Sequence, residues 1–154
     1  MIQEILFKHF SIEQLRQFAK KYRKAGIFCV KIIPFYGNLN IIARVFGTDK
    51  NSGHSYTQHY MRHFKKFRFK KIKLLEIGVG GYDDPHKGGE SLGMWKKYFP
   101  FGRIFSLDIY DKQALQESRI KIYQGSQVDP DVLSRITDEN GTFDLIIDDG
   151  SHIN

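Results

Sequence analysis

A chain of 154 residues, 41% hydrophobic and 27% charged, has the size and composition of one folded domain, which excludes a disordered or fibrous class. The single cysteine, Cys29, excludes an internal disulfide, and no apolar run reaches the roughly 20 residues of a membrane span, because Lys31, Pro34, Asn38, Asn40 and Arg44 break the stretch from Ile27 to Val45. The net charge is +7, with the basic excess lying before Lys73 and the remainder of the chain mildly acidic, and nothing at the start reads as a secretory leader, so a cytoplasmic location without a membrane partner is expected.

In chain order, Ile5, Leu6, Phe10, Ile12, Leu15, Phe18, Ala19 and Tyr22 recur at helical spacing, with Ser11 and Gln14 placed as a capping box. They predict one or two amphipathic helices ending near Gly26. Further helices are predicted over 40–46 and 57–67, with the polar segment 47–54 between them. Residues 1–71 therefore read as a helical N-terminal cap or lid. The run His63-Phe64-Lys65-Lys66-Phe67-Arg68-Phe69-Lys70-Lys71 suits a nucleic acid or an anionic surface, and equally a solvated helix end, which is what charge runs usually are.

Past residue 71 the period changes. Strands are predicted over 72–77, 103–108, 121–124 and 143–148, with a helix from Glu90 to Tyr98 stopped by Pro100 and Gly102. Another helix, Pro130 to Glu139, is opened by Asp129 and closed by Gly141. Strands alternating with helices predict an α/β domain over 72–154 with an open parallel sheet.

The strongest chemical signal is Leu74-Leu75-Glu76-Ile77-Gly78-Val79-Gly80-Gly81-Tyr82, a strand running into a glycine-rich turn where the backbone can approach a ligand closely. A dinucleotide fingerprint fails, because Asp83 stands where its third glycine belongs and no acidic residue closes a strand about 20 residues on. Instead Asp108 closes the second strand, where a carboxylate can accept both hydroxyls of a ribose. Together Glu76, the turn Gly78, Gly80, Gly81 and Tyr82, and Asp108 resemble the first two motifs of the class I methyltransferases, whose cofactor is S-adenosylmethionine. That resemblance implies a Rossmann-like sheet in the order 3-2-1-4, with the remaining strands of the usual seven following this sequence. Ser91, at the start of the next helix, would meet the methionine carboxylate or act as a plain cap. Gly125 and Ser126, after the third strand, fall where such enzymes contact the adenine end.

The segment Phe143-Asp144-Leu145-Ile146-Ile147-Asp148-Asp149-Gly150-Ser151-His152 ends an apolar strand in two carboxylates and a histidine. It lacks the prolines and aromatic residue typical of base N-methyltransferases, so nucleic acid recedes as acceptor. A hydroxyl is a poor nucleophile at neutral pH and gains from a divalent cation and a base. Asp149 is the candidate magnesium ligand and His152 the candidate base, beside the reading of His152 as an inconsequential chain-end histidine.

A closer resemblance is carried by Gly47-Thr48-Asp49-Lys50, Tyr56-Thr57 with His59-Tyr60, Leu75-Glu76-Ile77-Gly78-Val79-Gly80-Gly81-Tyr82, Gly88-Gly89-Glu90-Ser91-Leu92, Leu107-Asp108-Ile109-Tyr110-Asp111-Lys112 and Asp148-Asp149-Gly150-Ser151-His152. These are similar to the macrolide-sugar O-methyltransferases of the mycinamicin and demethylmacrocin type, from about Leu39 to Asn154. The resemblance implies that Asp149 binds magnesium, His152 is the catalytic base and Asp148 touches the cofactor. It also implies a Glu-Asp pair of further metal ligands on a fifth strand, which lies beyond residue 154. Where relatives carry Gly-Asp-Gln this chain has Gly125-Ser126-Gln127, a departure at a cofactor contact, and residues 1–38 match nothing in the family pattern.

The expected activity is magnesium-assisted methyl transfer from S-adenosylmethionine to a hydroxyl of a glycosylated small molecule. The alternatives are a non-catalytic, cofactor-binding remnant and an RNA ribose methyltransferase using the basic run. A sheet ending at its fourth strand would expose an apolar edge, so a homo-oligomer is an expected form of the isolated chain.

Overall fold

The computed structural model describes residues 37–51 and 56–150. The helical periodicity of residues 2–24 and the candidate base His152 lie outside the described residues. The chain divides into two compact units, Met1–Lys66 and Phe67–Asn154.

In the first unit, helix α1 spans Leu39–Phe46. Asn38 opens it, its Oδ1 accepting the N–H groups of Asn40 at 3.1 Å and Ile41 at 3.4 Å, and Gly47 closes it by donating its N–H to the Ala43 and Arg44 carbonyls. Its buried stripe is Leu39, Ile42, Ala43 and Val45. Helix α2 spans Tyr56–Phe64, and Thr57 Oγ1 donates to Asn51 Oδ1 at 3.1 Å. The helix expected over 57–67 tightens into a 3-10 turn at Lys65–Phe67.

The second unit is a parallel four-stranded sheet in the order β3-β2-β1-β4, built from β1 (Lys73–Ile77), β2 (Arg103–Asp108), β3 (Ile120–Gln124) and β4 (Leu145–Asp148). This is the predicted strand order. Helix α3 (Glu90–Tyr98) links β1 to β2, and α4 (Pro130–Asn140) links β3 to β4, as parallel strands require.

Alternation along the central strands sorts residues onto two faces. Leu75, Phe105, Leu107 and Tyr123 point one way and form a core cluster with Ile136 of α4. Leu74, Glu76, Ile104 and Ser106 point the other way, where Ser91 of α3 reaches Glu76. The buried residues Leu92, Met94, Trp95 and Tyr98 make α3 an almost wholly interior helix, which is why its sequence shows so little amphipathic contrast. Strand β4 is two residues shorter than expected. Asp144 accepts the Lys73 N–H on its side chain at 2.9 Å and donates its own N–H to the Lys73 carbonyl, so it brackets the strand entry, while Phe143 meets the Phe105 ring edge-on at 5.3 Å. Among the described residues no helix is long and apolar enough to cross a membrane.

Candidate functional site

The carboxyl ends of parallel strands are where an open α/β sheet offers its loops to a ligand. At the end of β1 the chain turns through Gly78, Val79, Gly80 and Gly81. Gly78 has φ +92°, and a Cβ there would sit 2.5 Å from the Asp149 carbonyl oxygen, so only glycine lets the turn lie against the end of β4. The Asp149 N–H completes that contact by donating to the Ile77 carbonyl at 2.9 Å.

The end of β2 holds the same turn from the other side. Asp108 Oδ2 accepts the Val79 N–H at 2.7 Å, and Oδ1 accepts the Tyr110 N–H at 2.9 Å. Gly78 donates its N–H to the Leu107 carbonyl at 2.8 Å. A charged acceptor on a backbone N–H makes one of the stronger protein hydrogen bonds, so the carboxylate is oriented before any ligand arrives.

From Tyr82 the chain makes a loop that returns on itself. Tyr82 is 83% exposed at φ +48°, an uncommon conformation for a residue with a side chain. Asp84 Oδ1 accepts the His86 N–H at 3.0 Å and Oδ2 lies 3.1 Å from Lys87 Nζ; that N–H, and secondarily the lysine, hold the Asp84 carboxyl below its usual range. The loop closes where Gly88, at φ +94°, lies so near the Gly80 carbonyl that a Cβ would overlap it, and Gly89 donates its N–H to the Val79 carbonyl at 2.8 Å.

Helix α3 begins there. Ser91, expected as a carboxylate contact or a cap, donates its hydroxyl to Glu76 Oε2 at 2.8 Å. Glu76 is fully buried, and Ser106 donates its hydroxyl to the Glu76 carbonyl at 2.7 Å. The sequence suggests neither pairing, because the three residues meet only when β1, β2 and α3 pack.

After β3, Gly125 donates its N–H to the Asp108 carbonyl at 2.9 Å and lies against the Val132 side chain, while Ser126 Oγ accepts the Val128 N–H at 3.3 Å. At the end of β4, Asp148 and Asp149 are exposed, and Asp148 Oδ1 accepts the Gly150 N–H at 3.1 Å. The structure thus brings Gly78, Gly80, Gly81, Asp108 and the Asp148-Asp149 turn to one end of the sheet. Among the described residues no group of three or more His, Cys, Asp or Glu side chains could hold a metal ion. These residues therefore fall short of a complete magnesium site, with Asp149 offering one hard oxygen ligand.

One residue at this end was not singled out by its chemistry. Lys112, four residues past Asp108, is fully buried, and its ammonium donates to the carbonyls of Asp84 at 2.7 Å and Lys87 at 3.0 Å. The basic run is placed differently: Arg68 lies over the Phe69 ring at 4.6 Å and the Tyr98 ring at 5.7 Å, and Lys70 lies over Phe67 at 5.6 Å, the packing of a side chain along its own surface.

No protein-family model matches the chain. It is 54% identical over 101 residues to the mycinamicin VI 2''-O-methyltransferase of Micromonospora griseorubida, a match covering 66% of this chain and 25% of that protein. It is 46% identical over 142 residues to the 8-demethyl-8-(2-methoxy-alpha-L-rhamnosyl)-tetracenomycin-C 3'-O-methyltransferase of Streptomyces olivaceus, covering 92% of this chain and 36% of that one. Among solved structures it is similar to the MycE methyltransferase of the mycinamycin biosynthetic pathway in complex with Mg, SAH and mycinamycin VI, at TM-score 0.72 and 48% identity over 76% of this chain and 32% of that chain. The chain spans between a quarter and about a third of the length of these relatives. The fold is their Rossmann-like one.

Proposed function

We propose that this chain is the cofactor-binding part of an S-adenosylmethionine-dependent O-methyltransferase acting on a sugar hydroxyl of a glycosylated small molecule. The observation that carries the reading is the glycine turn of β1 clasped to Asp108 of β2 through the Val79 N–H. The cradle fits a nucleoside: Gly78 and Gly88 leave no space for a Cβ, and Asp108 retains lone pairs for two ribose hydroxyls. When bound, S-adenosylmethionine supplies a methyl group made electrophilic by its sulfonium.

The chain's own residues do the rest. Asp108 orients the ribose, and Gly125 with Ser126 border the adenine end. Gly80, Gly81 and Tyr82 line the turn, and Glu76 fixes the start of α3 through Ser91. Asp148, paired with Ile77 at the end of β1, is assigned to the cofactor through the motif it shares with the relatives. The hydroxyl proton is assigned to His152, through the resemblance of Asp148-Asp149-Gly150-Ser151-His152 to the relatives' motif. Asp149 is assigned to magnesium on the same ground and on the Mg in the MycE complex.

Calorimetric titration with S-adenosylhomocysteine, followed by methyl transfer from labelled S-adenosylmethionine to glycosylated polyketides, tests the proposal. Saturable binding and a label on the sugar are expected. A folded chain that binds no S-adenosylhomocysteine overturns it, and a label on RNA instead of sugar overturns the acceptor class.

A further inference from the structure

Lys112 is among the largest side chains that are fully buried in this protein. Removing an ammonium from water is costly unless it is paired or hydrogen-bonded, and among the described residues this one has no carboxylate partner. Its contacts are two main-chain carbonyls, Asp84 and Lys87, both in the loop between the glycine turn and α3. Residues Asp108 and Lys112 leave β2 four positions apart and grip the β1 loop at two points: Asp108 accepts the Val79 N–H, and Lys112 donates to the far limb of the loop. The glycine contacts at Gly88 and the Gly89 to Val79 hydrogen bond then set where α3 begins.

Resting on the cofactor reading above, we infer that Lys112 is a positioning residue that holds the 82–89 loop over the amino-acid half of the cofactor site. Asp108 marks the ribose, and Gly125, just past the end of β3, lies to its adenine side. The loop held by Lys112 runs the opposite way, into the N-terminus of α3, where free N–H groups suit a carboxylate. The ammonium contacts no ligand in this role. It acts through the loop backbone, and a hydrophobic residue of the same length cannot tie two carbonyls.

The test compares two ligands that share a nucleoside. S-adenosylhomocysteine carries the amino-acid tail and 5'-methylthioadenosine lacks it. In Lys112→Met, affinity for S-adenosylhomocysteine is expected to fall at least about tenfold and affinity for 5'-methylthioadenosine to stay within about threefold, with faster amide hydrogen exchange confined to residues 82–89. A general loss of stability would lower both affinities alike. Lys112→Gln, an uncharged donor, carries the same comparison where Lys112→Met does not fold. Equal losses for both ligands, no loss for either, or collapse of both variants overturns the inference and assigns Lys112 to the fold alone. An unaltered chain that binds neither ligand overturns instead the cofactor reading on which it rests.

Discussion

Replacing Asp108 by alanine separates two jobs of one carboxylate. Val79 is 5% exposed, and its N–H, 2.7 Å from Asp108 Oδ2, loses its acceptor in a place water reaches poorly. That loss costs about 1–3 kcal/mol. Tyr110 is 43% exposed, so its N–H, freed from Oδ1, is taken up by water at little cost. The sum, about 2 kcal/mol, lowers the melting temperature by about 4–8 °C for a domain of this size. Binding suffers separately. Two ribose hydroxyls on a charged acceptor contribute at least about 1.5 kcal/mol each, so S-adenosylhomocysteine should bind more than about 100-fold more weakly. Calorimetry well below the variant's melting temperature reads the second effect free of the first, and Asp108→Asn should fall between alanine and the native residue in both. A folded Asp108→Ala chain that binds S-adenosylhomocysteine within about threefold of the native affinity refutes the ribose assignment. An unshifted melting temperature refutes the clasp on the turn.

Two further outcomes follow from features away from the turn. Arg119, at φ +67°, donates to the carbonyls of Lys96 at 3.0 Å, Phe99 at 3.0 Å and Gly102 at 2.8 Å, tying down the end of α3, so Arg119→Ala should lower the unfolding free energy by about 1–2 kcal/mol in a urea titration while nucleoside binding is retained. The Tyr98 phenol is raised above its ordinary 10.0 by burial, only partly opposed by Arg68. Its neutral form is thus favoured by folding: the stabilisation is complete below pH 10 and is lost as pH climbs through the folded value, so denaturant midpoints should fall above pH 10 and fall less steeply in Tyr98→Phe.

The parts of this fold that could be read from the sequence are those fixed by local pattern. Arg103–Asp108 and Glu90–Tyr98 match their expected bounds because an aliphatic run ends in aspartate in one case, and proline and glycine end the helix in the other. Strand β4 starts two residues later than its pattern suggests, because Phe143 favours a strand while Asp144, a residue that strands disfavour, brackets Lys73 through its side chain and its own N–H instead of extending the strand. The glycine turn and Asp108 could be paired in advance because together they resemble the first two motifs of the class I methyltransferases, and the adjacent parallel strands β1 and β2 do bring them together. Lys112 could not. Lysines are ordinarily solvated, and the carbonyls that justify burying this one belong to residues 25 and 28 positions away. Ser91 shows the same limit, since its partner Glu76 is set by the register of β1 against α3.

The contact at Gly78 has a thermodynamic consequence. The glycine turn after β1 and the Asp148-Asp149 turn share a backbone surface with no side chain between them to absorb a shift, so neither can be displaced without pressing on the other. A nucleoside that tightens the first turn and a cation held by the second would then report on each other, and linkage requires the two effects to be equal in size. The factor by which magnesium alters nucleoside affinity should equal the factor by which the nucleoside alters magnesium affinity, and a side chain at position 78 would change both together.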